Sequence, residues 1–270
     1  MTPQIKLGTA FGIVLLALVA SGFVAAILLL GLQSFADPEI ATSLSIFLGE
    51  AFLFLPVFIF IQSSQSNIRE VFRIKPITSP VLQATIILSI GVTVIVDELD
   101  RIIGILLPPP DFYLELMENV RMENPIALFI LFLGGVAVAA LVEEMIFRGF
   151  LQQILEQAWK DITRAILATA IFFAAIHFNL WWTIQIYFLG ILLGYLAWRT
   201  NSVFPGIILH SINNALAMIS ANWGYKIEQW YAWHRHVNPL LLLIAAGLIF
   251  FGYTRFEMAV NTSRLKHSEN

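Results

Sequence analysis

At 270 residues, with 59% hydrophobic and 12% charged side chains and a mean hydropathy of +0.81, the chain is too apolar for an ordinary soluble domain. A formal net charge of −3 leaves no nucleic-acid footprint, and the lack of cysteine excludes a disulfide, a thiol nucleophile and Cys-ligated zinc. The length suits six to eight spanning helices of ~20 residues and leaves no room for a sizeable soluble domain.

Eight apolar segments follow in order, about 7–32, 44–62, 81–107, 126–157, 162–178, 183–199, 205–222 and 239–254. The first follows Lys6 and runs to Leu32, far beyond the 7–15 residues of a signal-peptide core, so it reads as a retained membrane helix. The third carries Asp97, Glu98, Asp100 and Arg101 in its C-terminal half, which is expected at the interface or packed inside the bundle. A cation path through those carboxylates is the weaker reading. After Pro108-Pro109-Pro110, the stretch Phe112–Arg121 mixes aromatic and charged positions, as a short amphipathic helix on the outer surface would. Trp233-His234-Arg235-His236 reads as an aromatic interface loop sooner than as a metal site.

Loop charges orient this plan. With the N-terminus inside, Lys6, Arg69, Arg73, Lys75, Arg148, Lys160, Arg164, Arg199, Arg255, Arg264 and Lys266 fall on or near the inner side. Arg121, Lys226 and Arg235 fall outside, and Arg101 is ambiguous. This excess of inner cations predicts eight spans with both termini cytoplasmic, and all seven tryptophans lie near span ends. No internal repeat or linker interrupts the chain. The predicted fold is all-α, a polytopic membrane helix bundle forming one integral domain over 1–270, with a motif-bearing core at 126–220.

That core begins with seventeen residues, Ile126 to Val142, that contain no ionisable side chain; Glu143, Glu144 and Arg148 then follow at once. Charges there cost ~2.5–3.5 kcal/mol each on insertion scales and are rarely present without a task. Glu144 and Arg148 are four apart on one helix face and can neutralise each other. Glu143 lies about 100° around the helix and stays available as a general base. Downstream, Phe173 shares a face with His177, and His210 shares one with Asn214. One carboxylate, two imidazoles and one amide suffice to activate water and stabilise an oxyanion. The same Glu143, His177 and His210 come close to what a zinc site needs, although no His-Glu-x-x-His is present.

Glu-Glu-x-x-x-Arg, Phe-x-x-x-His and His-x-x-x-Asn, in this order on apolar helices, resemble the CPBP intramembrane protease family. That family takes in type II CAAX prenyl endopeptidases and bacterial abortive-infection (Abi) or bacteriocin-processing proteins. The resemblance implies that Glu143 and His177 activate water and that His210 and Asn214 stabilise the oxyanion. Glu144 and Arg148 would hold the site together, with Phe173 beside His177. It implies an intramembrane endopeptidase acting on a membrane-associated peptide or protein, with zinc-bound and metal-free water both open. A prenyl-binding surface is not identifiable, so CAAX cleavage does not follow. The expected location is a bacterial-type plasma membrane. A proton-coupled transporter, or an immunity or scaffold protein using the same cluster, is the competing reading; the missing repeat disfavours a transporter. Depth poses one problem. Glu143 lies ~21 Å and His177 ~24 Å from the inner end of their helices, but His210 only ~8 Å. Tilt, a broken helix or a sunken loop must bring His210 deeper.

Overall fold

The structure, a computed structural model, describes residues 5–112 and 120–268. Nine helices account for nearly all of them: α1 (Leu7–Leu32), α2 (Pro38–Ser63), the single turn α3 (Ile68–Val71), α4 (Ser79–Leu106), α5 (Pro125–Trp159), α6 (Ile162–Ala175), α7 (Leu180–Thr200), α8 (Phe204–Tyr231) and α9 (Pro239–Ser268). Seven are long and apolar enough to cross a bilayer. The expected fifth span is realised as the shorter α6, whose 14 residues rise only ~21 Å against a hydrocarbon core of ~30 Å. The bundle of about eight apolar helices is therefore present, with one helix stopping early.

Local chemistry sets the helix ends. Asp37 accepts from the amides of Glu39 and Ile40, so α2 starts at Pro38, six residues before its apolar run. Asn124, Asp161 and Asn179 cap α5, α6 and α7 in the same way. Glu39 also accepts from the amides of Glu123 and Asn124 at 2.8 and 2.7 Å, tying the starts of α2 and α5 together. These helices run side by side, and a Cβ on Gly134 would stand 2.9 Å from the Cα of Phe47. At the opposite extreme, α8 and α9 continue to Tyr231 and Ser268, well past their apolar stretches.

Large apolar side chains cover the outer surface, among them Phe23, Leu30, Phe129, Leu243 and Phe250. A soluble protein would not expose so many together; a lipid-facing bundle does. The interior is filled by Phe72, Phe147, Phe150 and Phe173, packed with Leu151, Leu155 and Leu193.

The charges at the end of α4 form a structural network. Arg101 donates to Asp97 at 2.9 Å and to both oxygens of Glu228 at 2.8 and 3.1 Å, and its guanidinium lies over the Tyr231 ring. Glu98 accepts from His236 Nδ1 at 2.6 Å and from the Val237 amide at 2.7 Å. It thereby pins a two-stranded hairpin (β1 Ala232–Trp233, β2 His236–Val237) whose turn residues His234 and Arg235 have φ of 48° and 71°. The loop expected from Trp233 to His236 is this hairpin. Of the stretch expected to be amphipathic, residues 113–119 lie outside the described residues.

Candidate active site

Between Ala139 and Glu144, α5 is α-helical, but π-helical turns flank it at Leu133–Val138 and Met145–Leu151. A π turn carries an extra residue, which re-aims side chains and loosens backbone pairing. Both carboxylates of the opening motif point inward, Glu144 at 0% exposure and Glu143 nearly as buried. Arg148 Nη1 donates to Glu144 Oε1 at 2.7 Å, with neither side chain exposed at all. Its Nη2 donates to the Gly190 carbonyl at 3.4 Å, and its guanidinium carbon stands 4.1 Å above the Phe173 ring. One turn along, Gln152 Nε2 donates to the Gly194 carbonyl at 3.0 Å. The Gly190-x-x-x-Gly194 spacing thus lets α7 approach until two α5 side chains reach its carbonyls.

His210 enters from α8. Its Nδ1 lies 3.1 Å from Glu144 Oε1, the same oxygen that Arg148 holds. A carboxylate only accepts, so Nδ1 carries the proton in this bond. Nε2 then faces Glu143 Oε2 at 3.8 Å. Glu143 Oε2 and Glu144 Oε2 are buried and have no hydrogen-bond partner among the described residues. One turn before His210, a Cβ on Gly206 would stand 2.5 Å from Glu144 Oε2, so only glycine admits α8 this close.

The loop before α8 is fastened to the chain segment that leads into α4. Ser202 donates to the Lys75 carbonyl at 2.6 Å, and the Val203 amide to the Arg73 carbonyl at 3.1 Å. Arg73 is itself buried, bonding the Arg148 carbonyl at 3.3 Å and pairing with Glu156. The start of α8 is therefore held level with the second half of α5, which extends ~20 Å beyond Glu144 to Trp159.

His177 lies just past the end of α6, half-buried, with Nδ1 2.7 Å from the Phe173 carbonyl. A carbonyl accepts only, so the neutral ring keeps Nε2 as its basic nitrogen. The Phe173 ring meets the rings of His177 and His210 edge-on at 4.9 and 5.8 Å. Asn214 Nδ2 donates to the Gly135 carbonyl at 2.8 Å, reaching into the first π turn. Glu143, Glu144, Arg148, Phe173 and His210 thus form one contact cluster. His177 joins it through Phe173, and Asn214 extends it along α8. The expected oxyanion pair, His210 and Asn214, is anchored to α5 by one bond from each side chain.

Two side chains that motif reasoning passed over belong here. Glu50 of α2 has a buried Oε2 without a hydrogen-bond partner among the described residues, and it lies within electrostatic range of Glu143. Its signal was available: it is the lone ionisable residue between Glu39 and Arg69. Arg73, read as an inner-loop charge, is the other. As for a metal, among the described residues no three His, Cys, Asp or Glu side chains are gathered where they could hold an ion. Glu143, His177 and His210 do not form such a trio in this geometry, and both Nδ1 atoms are engaged elsewhere.

A polytopic membrane bundle enclosing a Glu/Arg/His/Asn cluster is the class that fold and site define. The family model described as Type II CAAX prenyl endopeptidase Rce1-like matches residues 125–216, from the start of α5 to just past Asn214. The match covers about a third of the chain, takes in all three motifs that resemble the CPBP family, and supports a CAAX-type protease embedded in the membrane. No curated protein and no solved structure matches the chain.

Proposed function

We propose that the chain is an intramembrane endopeptidase hydrolysing a peptide bond of a membrane-associated peptide or protein. The observation that carries this reading is the contrast between two adjacent carboxylates. Glu144 is neutralised by Arg148 and His210, whereas Glu143 keeps a buried oxygen with no hydrogen-bond partner among the described residues. A water bound there donates to Glu143 Oε2, with His177 Nε2 as the second acceptor. Attack forms the C–O bond, and the water proton passes to Glu143. The carbonyl oxygen, now anionic, takes hydrogen bonds from Nε2 of a doubly protonated His210, which with Arg148 offsets the Glu143 and Glu144 carboxylates of the resting site, and from the second N–H of Asn214. Collapse breaks the C–N bond as Glu143 returns the proton to the leaving amine. This route uses a metal-free water.

The test is cleavage of a peptide library by the purified chain, offered with and without prenyl groups. Glu143→Gln and His177→Ala should each lower kcat/KM by about 10²–10⁴, and a chelator should leave cleavage unchanged. Undiminished cleavage by Glu143→Gln would sink the mechanism. A second reading has one observation behind it: Glu50 and Glu143, each with a buried oxygen, lie within electrostatic range of each other, as two carboxylates of a proton relay would. Proton-coupled uptake into vesicles with no peptide product would replace the protease by that transporter. We place both termini on the cytoplasmic side of a bacterial-type plasma membrane, from the inner excess of Lys and Arg. Reporter fusions at either end that are active only outside would reverse this orientation.

A further inference from the structure

A cavity of about 490 Å³ opens where α4 begins and where α7 and α9 end, and no residue of the carboxylate cluster lines it. Lys75, Arg199 and Arg264 line it, one from each of these three places. Its walls are built: Ser202 fastens the Lys75 carbonyl, and Arg264 Nη2 donates to the Arg199 carbonyl at 2.6 Å. Arg199 is matched by Glu257, bonded at 3.0 and 2.8 Å. Lys75 pairs with no carboxylate among the described residues, and the Arg264 hydrogen bond goes to an uncharged carbonyl. Arg264 also lies within electrostatic range of Glu257, so three cations share one carboxylate around the cavity. Thr78 adds to this, because it begins α4 without a side-chain cap, leaving the positive end of a 28-residue helix at the wall. Ile77, Val81 and Val260 form an apolar wall, and Thr200, Asn201 and Ser263 add polar groups.

We propose that this cavity binds the phosphate headgroup of an anionic phospholipid. Three spanning helices start or stop around it, which sets it at headgroup level whichever way the protein is oriented. Cations meet the phosphate, and the apolar wall receives the glycerol and first methylenes. Juxtamembrane Lys and Arg attract anionic lipids with a strength equivalent to about fivefold in affinity per cation.

The experiment titrates phosphatidylglycerol and phosphatidylcholine of matched acyl chains onto the full chain in neutral detergent, read by native mass spectrometry. The parent protein should prefer phosphatidylglycerol. Lys75→Ala with Arg264→Ala, both at exposed positions, should cut that preference about 25-fold. Lys75→Arg with Arg264→Lys should retain it, as should the control pair Lys160→Ala with Arg255→Ala, which removes two cations elsewhere. Equal binding of the two lipids, or an equal loss in the control pair, overturns the proposal. Displacement of the lipid by millimolar inorganic phosphate, or by a peptide through its C-terminal carboxylate, assigns the cavity to that ligand instead and overturns it as well.

Discussion

Arg148→Met isolates the interaction that organises the cluster. Arg148 and Glu144 are both wholly buried and bonded at 2.7 Å, so deleting the guanidinium leaves a carboxylate without its main counter-charge. Among the described residues, His210 Nδ1 at 3.1 Å then remains as the one donor to Glu144. Breaking a buried ion pair from one side costs about 3–5 kcal/mol. At roughly 2–4 °C per kcal/mol for a chain of this size, the unfolding midpoint should fall by roughly 6–20 °C. Removing both charges is a different perturbation, because no orphaned ion remains. Glu144→Gln with Arg148→Met should therefore recover more than half of the loss, giving a coupling well above the ~0.5 kcal/mol of independent sites. Tryptophan fluorescence during thermal unfolding in one fixed detergent measures all four members of the cycle. A midpoint for Arg148→Met within 2 °C of the parent, or a double variant worse than either single one, would refute the reasoning.

Three further outcomes can be checked on the same preparations. Gly206→Ala drives a Cβ to 2.5 Å from a carboxylate oxygen that cannot swing away, so we expect about 1–3 kcal/mol of destabilisation and at least tenfold slower peptide cleavage. Parent-like melting and turnover would show that α8 has room to move. Asn214→Ala removes the bond to Gly135 and a proposed oxyanion donor, and kcat should drop about 10²–10³-fold with KM nearly constant. A rise in KM alone would assign Asn214 to substrate binding. Glu50→Leu replaces a carboxyl with a partnerless buried oxygen by an apolar side chain, and thermal stability should hold or rise by about 1 kcal/mol. A fall of that size would mean Glu50 forms a bond that stabilises the bundle.

Much of this was legible because membrane chains carry strong, local signals. The charge-free run before Glu143 marked α5, and the four-residue spacings of Glu144–Arg148 and His210–Asn214 marked shared faces. Gly190 and Gly194 announced a close helix contact four residues apart. What stayed hidden depends on partners distant in sequence. That one oxygen of Glu144 serves both Arg148 and a histidine 66 residues away is decided by how α8 docks. That docking depends in turn on Arg73 reaching the Arg148 carbonyl across 75 residues. The π turns on either side of Glu143 leave no trace in the pattern, because the roughly 100° rotation from one extra residue is invisible where the helix is apolar on every side. Glu50 was a different kind of miss, for its isolation in an apolar helix was plain and only its neighbour was unknown.

The early stop of α6 has a consequence for hydration. Ending a helix at Ala175 leaves four carbonyls to be met from beyond it, and the amides of Ile176, His177 and Phe178 reach those of Phe172, Ala174 and Ala175. The fourth, on Phe173, is met by the His177 side chain, so the imidazole that terminates the helix has its tautomer set by the same bond. Phe178 then turns back with φ 48° and a side chain 96% exposed. Irregular backbone at membrane depth is tolerated only inside protein or against water. An early helix end beside His177 therefore leaves a place that water can reach, as the proposed hydrolysis requires.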